Sequence, residues 1–148
     1  MVSVDIPVLV CGDFNSILES GLHAFLTTGK FESSHPNLTT NPLGILCPAI
    51  KFFYQLSLVS IYTSFARMVG ITQGLDNQQR RMDLATNEPL FSNSTIFFLT
   101  LDYILYTTDS QFVVESLLEL LDEESLHKGT GLPSCEWSYD HIVLLVEL

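Results

Sequence analysis

The sequence predicts an α/β fold, in which buried strands are layered against at least one helix. Three apolar runs have the length and composition of strands, namely Val8–Cys11, Leu101–Tyr106 and Ile142–Val146. Between the first two, the segment Leu18–Thr28 carries apolar residues at helical spacing. Hydrophobic residues make up 47% of the 148 residues, which is enough to bury the core of one domain.

The first run ends in a cluster of polar residues. Val8–Cys11 is predicted to be buried on both faces, like a central strand of a layered α/β protein, and Gly12 ends it. Asp13 and Asn15 follow, and residues two apart in extended chain point the same way. A carboxylate and a carboxamide would then face one spot. The alternative is that Gly12–Ser16 is only a polar turn, because its residues are turn formers.

The middle of the chain is predicted element by element. The helix Leu18–Thr28 has Gly29 as a plausible C-cap. The segment Phe31–Cys47 is rich in Ser, Thr, Asn and Pro, and is predicted to be a long loop. A short helical or irregular segment then leads into a strand near Leu58–Tyr62. Glu88–Phe91 is predicted to be a short strand or a turn.

The last third of the chain adds strands and acidic side chains. A strand is expected within Phe112–Leu121, and Asp122 is placed to cap a short helix that runs through Leu126. We expect one partly open sheet, with the helix packed on it and strands near Val8, Ile104, Val114 and Val143.

Two further acidic sites lie at strand ends. Asp102 begins a buried strand, where a carboxylate is costly unless it is paired. A functional role and a simple turn-capping role are equally supported there. Asp140–His141 precedes the final strand, and such a pair can bind a metal or position an imidazole for proton transfer. Together with Asp13 these sites indicate a common site, because ligands gather at strand ends in layered α/β proteins.

Charge and cysteine content narrow the functional classes. The net charge is −11, from 17 acidic and 6 basic residues, which is the opposite of a broad basic surface for nucleic acid. A polyanionic substrate would therefore need a metal to supply positive charge locally. Three cysteines without C-x-x-C spacing disfavour a disulfide framework and a zinc site. No signal peptide or membrane span is visible, so we expect the cytoplasm as the location, with the nucleus as a second one.

Several motifs resemble those of a known superfamily. G-D-F-N-S, L-D-Y-I and D-H occur in the order of the later motifs of the endonuclease/exonuclease/phosphatase superfamily, at Gly12–Ser16, Leu101–Ile104 and Asp140–His141. Longer segments resemble the plant homologues of carbon catabolite repressor protein 4, which are poly(A)-specific exoribonucleases. These segments are N-E-P-L-F at Asn87–Phe91, L-D-Y-I-L-Y-T at Leu101–Thr107, V-V-E-S-L-L-E-L-L-D-E-E-S-L at Val113–Leu126 and L-P-S-C-E-W-S at Leu132–Ser138.

The resemblance implies roles for five residues. Asp13 would orient or activate the attacking water, and Asn15 would bind the scissile phosphate. His141 would protonate or contact the phosphate, and Asp102 would hold His141 in its working tautomer. Mg²⁺ would be the cofactor, with Asp13 and Asp140 as its ligands.

The resemblance also implies architecture and partners. Residues 1–148 would form the C-terminal portion of a two-sheet α/β sandwich of the DNase I type. The partners would be poly(A) RNA and other subunits of a deadenylase complex, with no membrane involved.

The chain also departs from the family pattern. The family's magnesium-binding glutamate and a further histidine lie in the half that precedes G-D-F-N-S. Tyr139 replaces a small serine, and Ile96–Thr100 lacks an expected Asp and Gly and is one residue short. Leu18 and Leu22 stand where prolines are usual. Two interpretations follow, a deadenylase that is weak or inactive as this chain alone, or a non-catalytic remnant that at most binds a partner or RNA.

Overall fold

The structure is a computed structural model. The residues that it describes are 6–31, 34–36, 53–69, 82–83, 86–90, 92–94, 98–108, 112–120, 132–133, 135 and 138–148. The predicted helix after Asp122 and most of the predicted Phe31–Cys47 loop lie outside these residues. None of the helices among the described residues is long and apolar enough to cross a membrane.

The central feature is a three-stranded antiparallel sheet. It consists of β1 (Leu9–Asp13), β2 (Leu58–Ser60) and β5 (Asp102–Thr107), in the order β1-β5-β2. Strand β5 lies between its two neighbours, and this is where the predicted run Leu101–Tyr106 falls. Its register with β1 runs from Leu9 opposite Tyr106 to Asp13 opposite Asp102.

Strand β5 is buried on both faces. Tyr103 and Leu105 pack with Leu58 in one buried cluster, while Ile104 belongs to a second cluster. This alternation follows from the two-residue period of a strand. Because consecutive side chains enter two different clusters, β5 has layers of structure on both sides.

Four short strands form two further ladders. Strand β3 (Asn93–Ser94) pairs with β4 (Phe98–Leu99), and β6 (Ser116–Leu117) pairs with β7 (Val146–Glu147). The expectation of one sheet holding all the strands is therefore wrong for the last two. Val114 packs in the same cluster as Ile104, with Leu144 and Val146 against it. The β6–β7 ladder is thus a separate layer that faces β5, because its apolar residues Leu117 and Val146 are half-buried against the cluster that contains Ile104.

Strand β1 differs from its prediction. It is an edge strand within the described part of the chain, it runs antiparallel to β5, and only Val10 along it is half-buried. An apolar run of this length is typical of a strand buried on both faces. Composition cannot distinguish such a buried strand from an apolar strand with an exposed face. In the described part of the chain, β1 is of the second kind.

Helix α1 spans Gly21–Thr28 and begins three residues later than predicted. The Ser20 side chain accepts a hydrogen bond from the His23 backbone N–H, which sets the N-terminus. Gly29 ends the helix in the left-handed conformation, at φ 74°, so the predicted C-cap is confirmed.

Helix α2 spans Ile61–Val69 and was not predicted. The strand expected to reach Tyr62 ends at Ser60, and Ile61, Tyr62 and Ala66 are buried in the helix that follows. The spacing of these apolar residues fits one helical face, but the neighbouring aromatic residues obscured that period.

Candidate active site

The pairing of β1 with β5 places two distant carboxylates side by side. Asp13 is the last residue of β1 and Asp102 is the first of β5, and their Cα atoms are partners at the end of the ladder. The ladder continues into the loop, since the Phe14 N–H donates to the Leu101 carbonyl at 2.9 Å. Strand register therefore brings together two residues that are 89 positions apart in the sequence.

His141 joins these two carboxylates. Its Nδ1 lies 2.8 Å from Asp102 Oδ2, and its Nε2 lies 3.9 Å from Asp13 Oδ2. The hydrogen bond with Asp102 is the main reason that the pKa of His141 is raised, and the charges of Asp102, Asp13 and Asp140 raise the pKa further. In the neutral ring this contact favours the tautomer with the proton on Nδ1, which leaves Nε2 directed toward Asp13.

Asn15 meets Asp13 through a tight turn. Its backbone N–H donates to Asp13 Oδ1 at 2.8 Å, and its Nδ2 donates to Asp13 Oδ2 at 3.1 Å. Asn15 has φ 48°, a left-handed conformation that asparagine tolerates. The two side chains are adjacent, as predicted, but a turn and not an extended chain brings them together. The turn fixes the direction of both carboxylate oxygens.

The predicted residues line one groove. Its volume is about 600 Å³, and its walls include Asp13, Asp102, Asp140 and His141. Tyr139 also lines the groove, and 77% of its surface is exposed. The structure thus brings four predicted residues to one cavity, with Asn15 hydrogen-bonded to its edge.

Sequence comparison relates the chain to plant proteins, although no protein-family model matches it. It is 57% identical to Carbon catabolite repressor protein 4 homolog 1 of Arabidopsis thaliana and 55% identical to homolog 2. The chain is a relative of these plant carbon catabolite repressor protein 4 homologues. Each match covers 98% of the chain but 24% of the relative, so the chain spans about a quarter of their length.

More distant matches agree with this similarity to carbon catabolite repressor protein 4 homologues. The CCR4-Not complex 3′-5′-exoribonuclease subunit Ccr4 of Schizosaccharomyces pombe is 30% identical over 96% of the chain and 17% of that protein. The crystal structure of ANGEL2, a 2′,3′-cyclic phosphatase, superposes with a TM-score of 0.63 at 22% identity, over 95% of this chain and 44% of that one. The predicted fold of the endonuclease/exonuclease/phosphatase type is thereby confirmed.

The donor atoms in the groove suit a hard cation. One ligand atom each from Asp13, Asp102 and His141 lie within 4.8 Å of one another. Asp102 and His141 are already hydrogen-bonded to each other, so Asp13 is the carboxylate best placed to bind a metal, with Asp140 on the same groove. Mg²⁺ is commonly held by one or two carboxylates while it keeps several waters. The residues present therefore fit a divalent cation, with Asp140 outside the compact group of three.

Two buried residues near the site were missed by the sequence analysis. Ser92 is fully buried and contacts the backbone beside both Asp102 and His141. Glu88 is 5% exposed and accepts hydrogen bonds from Ser60 and Thr63. The only sequence signal for Ser92 was its place just after the N-E-P-L-F motif. No periodic pattern in the sequence marks either residue, because their burial and hydrogen bonds depend on segments that are distant in the chain.

Proposed function

We propose that this chain carries part of the active site of a magnesium-dependent 3′-5′ exoribonuclease that shortens poly(A). The observation that carries the proposal is the line of Asp102, His141 and Asp13, with its contacts of 2.8 and 3.9 Å. This arrangement of carboxylate, imidazole and carboxylate fits phosphodiester hydrolysis, because Asp13 can orient a water molecule and His141 can transfer a proton. The kinship to named exoribonucleases supports this choice of substrate class.

Each residue has a distinct role in the proposed reaction. Bound Mg²⁺ would supply positive charge to the phosphate and its leaving oxygen. Asp13 orients the attacking water, and its two oxygens are held in place by the Asn15 turn. Asn15 uses one amide hydrogen for Asp13 and has a second one for a phosphate oxygen.

His141 provides the proton in the proposed reaction. Its Nδ1 is engaged by Asp102, so its Nε2 is the atom that donates to the phosphate or to the leaving oxygen. The raised pKa of His141 keeps the ring protonated to higher pH than usual, which favours donation. Asp140 contributes a further carboxylate at the rim of the groove, as a metal ligand directly or through water.

The proposed partners follow from the relatives. The fungal relatives are named as subunits of the CCR4-Not complex, and we propose a complex of this type in the cytoplasm for this chain. The net charge of −11 opposes RNA binding by the chain alone, so the cation and the partners must provide the attraction.

A second candidate is a non-catalytic remnant that binds RNA or a protein partner. The observation in its favour is Tyr139, which lines the groove at a position where the resemblance implies a small serine. The magnesium-binding glutamate that the resemblance implies is expected outside this stretch. A site that lacks this ligand would hold Mg²⁺ weakly, because the remaining carboxylates repel one another.

A gel assay on fluorescent oligo(A) with Mg²⁺ tests the proposal. The 148-residue chain is compared with a version that is extended at its N-terminus by the preceding segment of the Arabidopsis homolog 1. We expect magnesium-dependent shortening of oligo(A) by the extended protein and at most feeble shortening by the chain alone.

The matched variants are Asp13→Ala and Glu115→Ala, the latter at an exposed position outside the groove. We expect Asp13→Ala to reduce the rate of the extended protein at least about 100-fold, and Glu115→Ala to leave it unchanged. Robust cleavage by the short chain that Asp13→Ala abolishes would refute our expectation of weak activity. No cleavage by either protein would favour the remnant.

A further inference from the structure

Ser92 lies at a junction between the two segments that carry the Asp102–His141 pair. It is the residue before β3 and has no exposed surface. Its side chain does not titrate and does not line the groove, so it has no direct part in the proposed chemistry.

The Ser92 hydroxyl binds the start of β5. Its Oγ accepts hydrogen bonds from the backbone N–H groups of Leu101 and Asp102, both at 2.9 Å. One oxygen thus holds two consecutive peptide groups at the point where the chain enters β5. The backbone position of Asp102 is thereby fixed from outside the β1–β5 ladder.

The Ser92 main chain binds the other segment. Its carbonyl accepts a hydrogen bond from the Ile142 N–H at 2.7 Å, one residue beyond His141. Its own N–H donates to the Leu99 carbonyl at 2.9 Å, which ties it to β4. The side chain and the main chain of one residue therefore hold the two segments that must align for the contact between His141 and Asp102.

Ser92 is itself held in place by a buried frame. The Thr100 hydroxyl donates to the Pro89 carbonyl, three residues before Ser92, at 2.5 Å. The neighbouring Glu88 carboxyl accepts from Ser60 Oγ and Thr63 Oγ1, each at 2.8 Å. A group can position others only when it does not move, and these contacts anchor the segment to β2 and α2.

We infer that Ser92 is a positioning residue that sets the geometry of the Asp102–His141 pair. The inference rests on the proposed function only where it concerns catalysis. The geometry of the Asp102–His141 pair is measurable without a substrate. Removal of the hydroxyl leaves two backbone N–H groups without their acceptor, so the start of β5 shifts to find another. The contact between Asp102 and His141 then loosens.

The test uses the 148-residue chain with ¹⁵N-labelled histidine. The chain has four histidines, and His141→Gln assigns the His141 ring signals. Long-range ¹H–¹⁵N spectra at a pH where the ring is neutral report which ring nitrogen carries the proton. In the parent chain we expect the proton on Nδ1.

Ser92→Ala should change this signature, with both tautomers of His141 populated. The matched control is Thr27→Ala, which removes a half-buried hydroxyl that donates to the His23 carbonyl within helix α1, away from both segments of the pair. Thr27→Ala should keep the parent tautomer. Should Ser92→Ala fail to fold by circular dichroism, Ser92→Cys replaces it, because a thiol is of similar size and a much weaker acceptor.

A second measurement uses the extended protein of the oligo(A) assay. Ser92→Ala should lower kcat about 10-fold or more and change KM little, since orientation and not substrate binding is lost. An unchanged His141 tautomer in the Ser92 variant, or an equal change in Thr27→Ala, overturns the inference. A shifted tautomer in proteins that cleave nothing upholds Ser92 as a positioning residue and refutes the proposed function.

Discussion

The carboxyl groups of half-buried Asp102 and buried Glu88 are stabilised in different ways. The Asp102 carboxylate is hydrogen-bonded to the His141 ring, whose Nδ1 lies 2.8 Å from Asp102 Oδ2. Glu88 has no cation close by among the described residues, and two hydroxyl groups donate to it instead. Burial therefore raises the pKa of Glu88, despite the hydrogen bonds that lower it.

Glu88 should make the stability of the chain depend on pH. Its pKa is raised in the folded state, so its stabilising contribution is complete below the ordinary value of 4.5 and is lost as pH rises through the folded pKa. The glutamine of Glu88→Gln cannot ionise. The free energy of unfolding of this variant should therefore increase relative to that of the parent chain as pH rises above 4.5. Urea unfolding at steps from pH 4 to pH 8 measures this difference.

An exposed glutamate provides the control for Glu88. Glu115→Gln should give a free energy of unfolding that runs parallel to the parent curve, because Glu115 is exposed and its side chain ionises in water. A parallel curve for Glu88→Gln as well would contradict the raised pKa.

At the scale of elements, helix α1 depends on its C-terminal glycine. Gly29 has φ 74°, and its N–H donates to the Phe25 carbonyl, which closes the helix. Tyr54 approaches from the segment before β2, with its N–H on the Gly29 carbonyl at 2.8 Å and its hydroxyl on the Leu26 carbonyl. The glycine therefore serves both the left-handed turn and the close approach of another chain segment.

Gly29→Ala should destabilise the chain by more than a left-handed residue alone, which costs about 1–2 kcal/mol. A Cβ at this position would lie 2.5 Å from the Tyr54 carbonyl oxygen, so backbone would have to move. Thermal or urea unfolding gives the loss. Gly29→Asn separates the two causes, since asparagine tolerates the left-handed conformation but also has a Cβ.

If the close approach dominates, Gly29→Asn should be nearly as destabilised as Gly29→Ala. Thr28→Ala, in the last turn of the same helix, should cost about 1 kcal/mol or less, because it removes only exposed hydrogen bonds from its hydroxyl to the Ala24 and Lys30 carbonyls. A Gly29→Ala chain as stable as Thr28→Ala would show that the turn can move away from Tyr54.

At the scale of the whole molecule, the chain exposes apolar side chains next to the candidate site. Val143 and Leu145 are 59% and 54% exposed, while Ile142 between His141 and Val143 is buried. Leu9 on β1 is 43% exposed. Exposed apolar residues that follow a strand period are typical of a surface that packs against other protein.

We expect the chain alone to self-associate through this surface as its concentration rises. The double variant Val143→Thr with Leu145→Ser removes apolar area without a change of net charge, and should shift the species toward monomer. Size-exclusion chromatography with light scattering measures the mass at several concentrations. Met68→Ser is the control, because Met68 is 60% exposed on helix α2.

A monomer at all concentrations in the parent chain would contradict this expectation. An equal effect of Met68→Ser would assign the association to general hydrophobicity and not to the surface around Val143.

The sequence by itself determined the layered α/β class, the strand at Leu101–Tyr106 and the C-cap at Gly29. Each has a local cause, namely an apolar run or a residue with the required backbone freedom. The candidate residues Asp13, Asn15 and His141 were also chosen from local motifs, and the structure places them at the edge of one groove.

The tertiary structure alone decided how these pieces combine. The register that sets Asp13 opposite Asp102, the separate β6–β7 ladder and the exposed edge at β1 all depend on pairing between distant segments. Ser92 and Glu88 belong to the same class, since the partners that hydrogen-bond to their side chains lie 9 to 28 positions away. Local sequence cannot determine such contacts, because many pairings satisfy the same pattern and only the packing of the whole core selects one.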